Sequence, residues 1–365
     1  MTKKRTRRKF WLLLGAATAG VAAYGAAYQF ALRYRERVGL PHRSPVEVTP
    51  AEFGLDYENV EIPSGELRLS GWFVPATEAG GKHAVVRAAA GAPAIAPAGR
   101  PGIVVVHGWE SNRGRTFAHV RYLHAAGFHC LVFDVRGHGD SSPETLPINV
   151  PEFADDTVAA VHWLAARPEI SAVGVLGHSM GGAGVIVAAS REPVIRAVVS
   201  LSAPADLVLM TRKTFDMAEM NVPGPIAGPL ALVTATVLLA PRHHSLEDAS
   251  ALVAARRYRG PLLLIHGEQD RGVPVEHLAA IERAAAETRT ADDPDVETLI
   301  LPEFGHRWLY EAPEFRRRVA AFFAVALDGP VAPGLAADLA EACVVERPAD
   351  PVYGFGALAT NTAPR

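Results

Sequence analysis

The sequence predicts an α/β protein built on a mostly parallel, doubly wound sheet. Short apolar runs, such as 103–106 and 173–176, alternate along the chain with longer segments of helical spacing, such as 151–166. A run that is apolar at every position is typical of a parallel strand, because helices cover both faces of such a sheet. Regular alternation of strand and helix then indicates the doubly wound arrangement.

The remaining elements follow the same patterns. Further strands are predicted at 128–133, 195–201, 261–265 and 296–301, and further helices at 116–126, 179–190, 275–287 and 312–327. A hairpin is predicted before them, because 57–62 and 67–74 alternate apolar and polar residues around the turn Pro63-Ser64-Gly65. We therefore expect one large domain over 57–327.

Three segments are expected to depart from this regular pattern. Residues 78–101 are dominated by Ala, Gly and Pro, which predicts a flexible insertion. Residues 206–250 separate two core strands and include an apolar run, which predicts a helical cap over the carboxyl edge of the sheet. Residues 328–365 are rich in Ala and Pro with little periodicity, which predicts a disordered tail.

The composition argues against several classes of protein. Hydrophobic residues make up 49% and charged residues 21% of the 365 positions, with a formal net charge of -3, so we expect a globular protein without a nucleic-acid partner. Cys130 lies in an apolar run and Cys343 in the tail, so no disulfide is expected between them. There is no zinc-type Cys/His spacing, and neither a metal nor another cofactor is predicted.

The amino terminus predicts a membrane anchor. Residues 1–9 contain six basic side chains, and 10–32 contain no charge, which at about 1.5 Å per residue is enough helix to cross a hydrocarbon layer of roughly 30 Å. The following segment, 33–56, is expected to be a linker and carries fewer basic residues beside the span. This bias predicts a single-pass protein of the cell membrane, with residues 1–9 cytoplasmic and the domain extracytoplasmic.

A cleaved export signal is the alternative interpretation of this segment. The run Thr6-Arg7-Arg8-Lys9-Phe10 resembles a twin-arginine signal, and Val21-Ala22-Ala23 offers one cleavage site. Either interpretation places the domain outside the cytoplasm.

The strongest chemical signal is the run Gly177-His178-Ser179-Met180-Gly181. It follows the strand 173–176 and precedes a helix, which is the setting of a nucleophilic serine on a tight strand-to-helix turn. Gly177 and Gly181 lack the β-carbons that would collide where the chain crosses itself. The amino terminus of the helix favours negative charge on a reacting carbonyl. Ser179 is therefore the predicted nucleophile.

A serine hydroxyl needs a histidine base, and the histidine needs an acid that holds its tautomer. His306 follows the strand 296–301, and Asp270 follows the strand 261–265. Both residues therefore stand at the carboxyl ends of parallel strands, as Ser179 does. Asp206 and Glu268 remain alternatives for the acid, because each also follows a strand.

The oxygen of a tetrahedral intermediate needs two backbone donors. The first is predicted to be the N–H of Met180, which directly follows the nucleophile. The second is predicted to be the N–H of Trp109, which ends the run His107-Gly108-Trp109 after the first parallel strand. Gly108 lets the backbone approach closely at this point.

From about residue 57 to 327 these features resemble the α/β-hydrolase superfamily. The run 134–141 is similar to the Arg-Gly-x-Gly-x-Ser loop of that superfamily, and we expect it to be structural. The chain looks most like bacterial serine aminopeptidase-like and Bem46-like hydrolases that have an amino-terminal membrane segment. The resemblance implies an α/β-hydrolase fold and cleavage of an ester or related acyl bond by Ser179, His306 and Asp270, without a cofactor.

The expected substrate is a small acyl compound, with lipid-like esters among the candidates, and the oligomeric state is left open. An exported peptidase of the aminopeptidase type is an alternative function. It would need an acidic cluster for the substrate amine, for which Asp216 and Glu219 in the predicted cap are available. A non-catalytic binding module is a further alternative, although such proteins lose members of the triad.

Two other polar pairs have simpler interpretations. Asp155 and Asp156 are expected to complement the dipole at the start of the helix that contains Trp163. His243 and His244 have no carboxylate or Cys partners at ligand spacing, so we expect a surface loop of the cap there.

Overall fold

The computed structural model describes residues 2–77, 99–217, 220–343 and 345. Its strands are β1 (Glu58–Ser64), β2 (Leu67–Val74), β3 (Arg100–Val106), β4 (His129–Phe133), β5 (Ile170–His178), β6 (Ile195–Leu201), β7 (Leu262–Gly267) and β8 (Val296–Leu301). Its helices are α1 (Thr2–Val38), α2 (Arg113–Ala125), α3 (Val150–Ala165), α4 (Met180–Ala189), α5 (Leu207–Met217), α6 (Gly224–Leu239), α7 (Ala251–Arg257), α8 (Glu276–Ala286), α9 (Pro313–Ala326) and α10 (Pro333–Ala342), with short 3-10 turns at Pro50–Phe53, Ala240–Arg242 and Leu309–Glu311.

These strands form one 8-stranded sheet in the order β1-β2-β4-β3-β5-β6-β7-β8. The pairs β1 with β2 and β2 with β4 are antiparallel, and every other neighbouring pair is parallel. The predicted mostly parallel sheet with an amino-terminal hairpin is therefore confirmed. Because β3, β5, β6, β7 and β8 run in one direction, the loops that follow them meet at one edge of the sheet.

Helices cover both faces of the sheet. Along β3, Val104 and Val106 pack with α3, α4, α7 and α8 on one face, whereas Ile103 and Val105 pack with α2, α9 and α10 on the other. This alternation follows from the two-residue period of a strand. All four side chains are fully buried, which explains why the strand is apolar at consecutive positions.

The amino-terminal helix α1 is longer than the predicted anchor 10–32 and continues through the first part of the predicted linker. Trp11 and Tyr28 mark the ends of a run of exposed large apolar side chains, whereas Phe30 packs edge-on against Phe215 of α5. By length and composition, two helices in the described part of the chain could cross a membrane, Trp11–Val38 and Gly224–Arg242.

The rest of the predicted linker, 39–56, is folded onto the domain. Asn112 donates hydrogen bonds from Nδ2 to the carbonyl oxygens of Ser44 (3.2 Å) and Pro45 (2.8 Å), and Arg43 donates to the carbonyl oxygen of Gly139. These side chains satisfy carbonyl groups that have no helix or strand partner. The linker prediction is therefore wrong here, because the fixing groups come from distant parts of the chain.

The predicted disordered tail, 328–365, contains the helix α10, whose Ala340 is buried. Arg316 of α9 holds the end of this helix by donating to the carbonyl oxygens of Ala340 (3.1 Å) and Glu341 (3.0 Å), and it also donates to that of Tyr310 (2.7 Å). The prediction is wrong for 333–342, because alanine is common in low-complexity segments but is also the best helix former. Residues 344 and 346–365 lie outside the described part of the chain.

Two smaller predictions also need correction. Residues 78–98 of the predicted flexible insertion lie outside the described residues, but Arg100 and Pro101 at its end belong to β3. The helix α3 begins at Val150, so the expected capping residue Asp156 lies in its second turn. Asp156 is instead buried and accepts hydrogen bonds from Arg136 (2.6 Å) and Ser64 (2.8 Å).

The contact of Arg316 with α10 predicts a stability difference between two arginines of α9. Arg316 is buried and bonded to carbonyl groups, whereas Arg318 is 48% exposed and pairs with Glu297 at 2.9 Å. Since a hydrogen bond from a charged group is worth about 1.5–3 kcal/mol and an exposed ion pair about 0–1 kcal/mol, Arg316→Gln should lower the melting temperature by roughly 4 °C or more. Arg318→Gln should change it by roughly 2 °C or less. Thermal unfolding followed by circular dichroism in detergent measures both, and equal melting temperatures for the two variants would contradict the assigned role of Arg316.

Candidate active site

The predicted nucleophile stands on a sharp turn between β5 and α4. Ser179 has φ 56° and ψ −120°, a left-handed backbone conformation that costs a residue other than glycine about 1–3 kcal/mol. A β-carbon at Gly177 would collide with the carbonyl of Gly181, and one at Gly181 would collide with the carbonyl of His107. The turn is held by the N–H of Ser179, which donates to the carbonyl oxygen of Leu201 at 2.8 Å.

The structure brings together the three residues predicted as a triad. The Oγ of Ser179 lies 2.9 Å from Nε2 of His306, and Nδ1 of His306 lies 2.7 Å from Oδ2 of Asp270. Asp270 follows β7 and His306 follows β8, so the parallel strands deliver all three side chains to one edge. With the proton on Nδ1 of His306, Nε2 is an acceptor for the serine hydroxyl.

The surroundings of Asp270 keep it ionised. Burial raises the pKa of this carboxyl, but the charge of His306 and hydrogen bonds from His266, His306 and Val273 outweigh burial and hold the pKa below its usual range. Its Oδ1 accepts from the N–H groups of Gly272 (2.9 Å) and Val273 (2.8 Å), which leaves Oδ2 for His306. A carboxylate held in this way fixes the imidazole tautomer and stabilises an imidazolium.

The two alternative acids lie elsewhere. Asp206 accepts hydrogen bonds at Oδ1 from the N–H groups of Val208 (2.8 Å) and Leu209 (3.1 Å), so it caps the start of α5. Glu268 is exposed to solvent, two residues before Asp270. Of the three carboxylates considered from the sequence, Asp270 is the one in contact with His306.

His178 contributes a contact that the sequence analysis missed. Its Nε2 donates to the carbonyl oxygen of His306 at 2.7 Å, and the two rings lie 4.9 Å apart. Burial, reinforced by the charge of His306, lowers the pKa of His178 to about 3, so the ring is neutral and its Nε2 carries the proton. His178 therefore holds the backbone of the residue that faces Ser179. In the sequence, this role of His178 was indicated only by its position directly before Ser179.

The loop predicted to supply an oxyanion donor adjoins the nucleophile. A β-carbon at Gly108 would lie 3.1 Å from Cβ of Ser179. The backbone just before Trp109 therefore runs directly past the serine. His107 fixes the loop, because its Nε2 accepts from the N–H of Val135 (2.9 Å) and its Nδ1 donates to the carbonyl oxygen of Gly108 (2.7 Å). Burial lowers the pKa of His107 to about 4, which keeps the ring neutral for these two roles.

The second predicted donor belongs to the helix that follows the nucleophile. Met180 is the first residue of α4, so its N–H is one of the donors at the amino end of this helix. Together with the loop at Gly108, this arrangement can present backbone N–H groups to an oxygen bound next to Ser179.

A cavity of about 140 Å³ lies beside Ser179 and His306. The apolar part of its lining includes Trp109, Trp308 and Leu309, and the polar part includes Glu47, Glu110, Arg115 and Arg307. Pro45, Glu47 and Val48 come from the segment expected to be a linker. This segment is therefore one wall of the site.

The predicted cap, 206–250, folds as the helices α5 and α6, but it does not roof this cavity. None of the described residues that line the cavity comes from 206–250. The two helices pack against α1 instead, as the contact between Phe30 and Phe215 indicates. The apolar run of this segment is therefore covered in part by α1.

Neither Asp216 nor the pair His243 and His244 lines the cavity. Asp216 is exposed on α5, and Glu219 lies outside the described residues. His244 lies 2.7 Å from a carboxylate oxygen of Glu152, a partner that the sequence did not indicate. In the described part of the chain, there is no group of three or more His, Cys, Asp or Glu side chains that could hold a metal ion.

The chain is similar to known proteins over part of its length. The family model of serine aminopeptidases of type S33 matches residues 98–227. Human ABHD12B is 27% identical over 225 residues, which are 59% of this chain and 58% of that protein. A monoacylglycerol lipase of Mycolicibacterium smegmatis is 26% identical over 246 residues, covering 58% of this chain and 82% of the lipase. The chain thus spans little more than half of ABHD12B.

Among solved structures, the esterase Pf2001 of Pyrococcus furiosus has the same fold. It aligns with a TM-score of 0.59 at 22% identity, over 79% of this chain and 97% of the esterase. The chain therefore has the α/β-hydrolase fold, and over residues 98–227 its sequence is similar to the serine aminopeptidases of type S33. The similar proteins include a bifunctional esterase/perhydrolase of Acinetobacter calcoaceticus as well as the monoacylglycerol lipase.

The contacts of Asp270 and Asp206 predict opposite sensitivities to removal of charge. Asp270→Asn should lower kcat/KM for an aryl ester by roughly three to four orders of magnitude, because the amide stabilises the wrong imidazole tautomer. Asp206→Asn, the matched control, should leave kcat/KM within about threefold, because an amide also caps a helix. Steady-state kinetics on both purified variants measures the difference, and a larger loss for Asp206→Asn would move the acid to the end of β6.

Proposed function

We propose that the protein is a membrane-anchored serine hydrolase that cleaves carboxylic ester or related acyl bonds. The observation that carries this proposal is the continuous contact from Ser179 through His306 to Asp270. A positioned base beside a strained serine at a helix amino terminus is the arrangement that activates a hydroxyl for acyl transfer. The proposal requires no cofactor.

The reaction follows from these positions in two halves. His306 takes the proton of the Ser179 hydroxyl as its oxygen attacks the substrate carbonyl, and the N–H groups of Trp109 and Met180 stabilise the resulting oxyanion. The tetrahedral intermediate collapses, His306 gives its proton to the leaving group, and an acyl-enzyme forms on Ser179. Water, deprotonated by His306, then attacks the acyl-enzyme. The second tetrahedral intermediate collapses, His306 returns the proton to Oγ of Ser179, and the carboxylic acid leaves.

The size of the cavity favours a short acyl or leaving group. Its volume of about 140 Å³ is smaller than the roughly 300–1,000 Å³ of pockets that enclose drug-sized ligands. Trp308 and Leu309, which follow His306 closely in the chain, line the cavity, and we infer that they limit the length of a bound acyl chain. We therefore infer a preference for short acyl esters over medium-chain ones.

An aminopeptidase-like activity is a second candidate, and one observation favours it. Glu47 and Glu110 both line the cavity, and a carboxylate there could receive the ammonium group of a peptide substrate. Glu110 already contacts Nδ1 of His42 at 2.8 Å, so part of its capacity is in use. Ester hydrolysis needs no such group and stays the main proposal.

The proposed location rests on α1. A helix whose large apolar side chains are exposed from Trp11 to Tyr28 is well suited to lipid, and the basic residues of 1–9 favour the cytoplasmic side for the amino terminus. The catalytic domain would then lie outside the cytoplasm. A cleaved twin-arginine-like signal is the alternative route to the same side.

The nucleophile can be tested with a fluorophosphonate probe, which phosphonylates an activated serine. Wild-type protein should be labelled, and Ser179→Ala should lose all labelling. Ser111→Ala, a second cavity-lining serine, should keep it. Labelling of Ser179→Ala at the wild-type level would refute the assignment.

Substrate preference distinguishes the two candidate activities. A higher kcat/KM for an aminoacyl anilide than for an aryl acetate, lost in Glu110→Gln, would favour the peptidase over the esterase.

The cavity predicts which side chain limits acyl length. Trp308→Ala should raise the ratio of kcat/KM for octanoate over acetate esters of one phenol several-fold, since each newly buried methylene contributes about 0.8 kcal/mol. Leu232→Ala on α6 should leave the ratio unchanged, because Leu232 does not line the cavity. Retained acetate hydrolysis shows that a variant is folded. A changed ratio in Leu232→Ala alone would contradict this and indicate that the predicted cap contacts the acyl chain.

A further inference from the structure

The exposed face of α6 carries no charge. Its exposed positions are Gly224, Pro225, Ile226, Pro229, Leu232 and Thr236, with Ile226 at 55% and Leu232 at 47% exposure. Thr236 donates its hydroxyl to the carbonyl oxygen of Leu232 at 2.9 Å, so its polar group is already satisfied within the helix. A helix on the surface of a soluble domain normally presents charged and polar residues to water. This face is unsuited to water.

The helices α5 and α6 form a hairpin whose two ends are tied to the domain. α5 follows β6, and after α6 the side chain of Arg242 donates to the carbonyl oxygen of Pro147 at 2.8 Å. The start of α5 and the end of α6 are therefore fixed to the domain. At its base the hairpin contacts α1, where Arg35 donates to the carbonyl oxygen of Val237 at 3.4 Å.

The aromatic contacts place α5 against the same part of α1. Phe215 packs edge-on against Phe30 (5.7 Å) and Tyr34 (5.9 Å), and the hydroxyl of Tyr34 lies 2.8 Å from that of Thr214. The apolar face of α6 is thus held beside the helix whose own exposed apolar surface includes Val21 at 74% exposure. The two surfaces belong to one packed three-helix unit, α1 with α5 and α6.

Most of the charged side chains at the base of this unit are basic. Arg33, Arg35 and Arg37 surround Glu36 at the end of α1, and Arg212 and Lys213 precede Phe215 on α5, which Asp216 follows. Arg242, after α6, is neutralised by Glu144 and Glu152. Ile226 lies eleven residues before Val237, which at about 1.5 Å per residue is roughly 16 Å along the helix. A basic layer followed by an uncharged one matches the order of anionic headgroups and acyl chains in a bilayer leaflet.

We propose that the exposed face of α6 enters the lipid bilayer alongside α1, with the basic residues of α1 and α5 at the level of the headgroups. The protein would then be held by a helical unit rather than by a single span. A second copy of the chain could also cover an apolar face, but it would not account for the basic layer at its base. Lipid accounts for both features.

Spin labels on the full chain in liposomes of phosphatidylcholine and phosphatidylglycerol test this proposal. Cys343→Ser gives a suitable background, because Cys130 is fully buried and burial raises the pKa of its thiol, which makes it unreactive. Single labels are attached through Ile226→Cys, Val21→Cys and Val325→Cys. Val325 is the matched control, because it is apolar and 67% exposed on α9, which packs on the sheet and α10.

Collisions of each label with oxygen, which concentrates in lipid, and with a polar nickel complex, which stays in water, are measured by power saturation. Labels at 226 and 21 should collide more with oxygen, whereas the label at 325 should collide more with nickel. Oxygen preference at 21 with nickel preference at 226 would overturn the proposal and leave α1 as a lone anchor. Protection of the label at 226 from both reagents, with dipolar broadening, would assign the face to a second copy and also overturn it. Retained ester hydrolysis verifies folding, and its loss in every form, wild type included, would speak against the proposed function alone.

Discussion

Three backbone segments meet at van der Waals contact around Ser179, and the site depends on that approach. The end of β5, the start of α4 and the end of β3 come so close that side chains at Gly177 or Gly181 would overlap carbonyl groups. This contact forces Ser179 into its left-handed conformation and brings the loop at Gly108 alongside it. The strain is sustained by the rest of the sheet, since β6 and β3 are fixed on both sides of β5.

Much of this could be predicted from the sequence, because the relevant signals are local. Strands covered on both faces are apolar at every position, and a nucleophile turn needs glycines at fixed distances from Ser179. The positions of Asp270 and His306 followed from one further rule, that parallel strands end at the same edge. Three acidic residues in the sequence were candidates for the acid of the triad, and only their contacts in the structure distinguish them. Asp206 caps a helix, and Glu268 faces solvent.

The errors arose where a segment's role is set by residues distant in sequence. Nothing within 39–56 indicates that Asn112 will bind the carbonyl groups of Ser44 and Pro45, so the segment was predicted to be a linker. The helix α10 is alanine-rich, and its place is decided by Arg316, which precedes it in the chain. The hairpin of α5 and α6 was expected over the substrate because it interrupts the strand order, but it packs against α1 instead.

The folded segment between α1 and the cavity limits the distance between the end of α1 and Ser179. Pro45 in the cavity wall comes only seven positions after Val38, the end of α1, and seven steps of extended chain reach at most about 25 Å. Because Asn112 and Arg43 fix the far end, the domain cannot swing out on a stalk. With α1 in a membrane, Ser179 would work within a thin zone above the headgroups. Ser179 could not contact acyl bonds in a polymer far from the membrane surface. It could contact soluble esters, which diffuse to the site, and acyl groups held just above the bilayer.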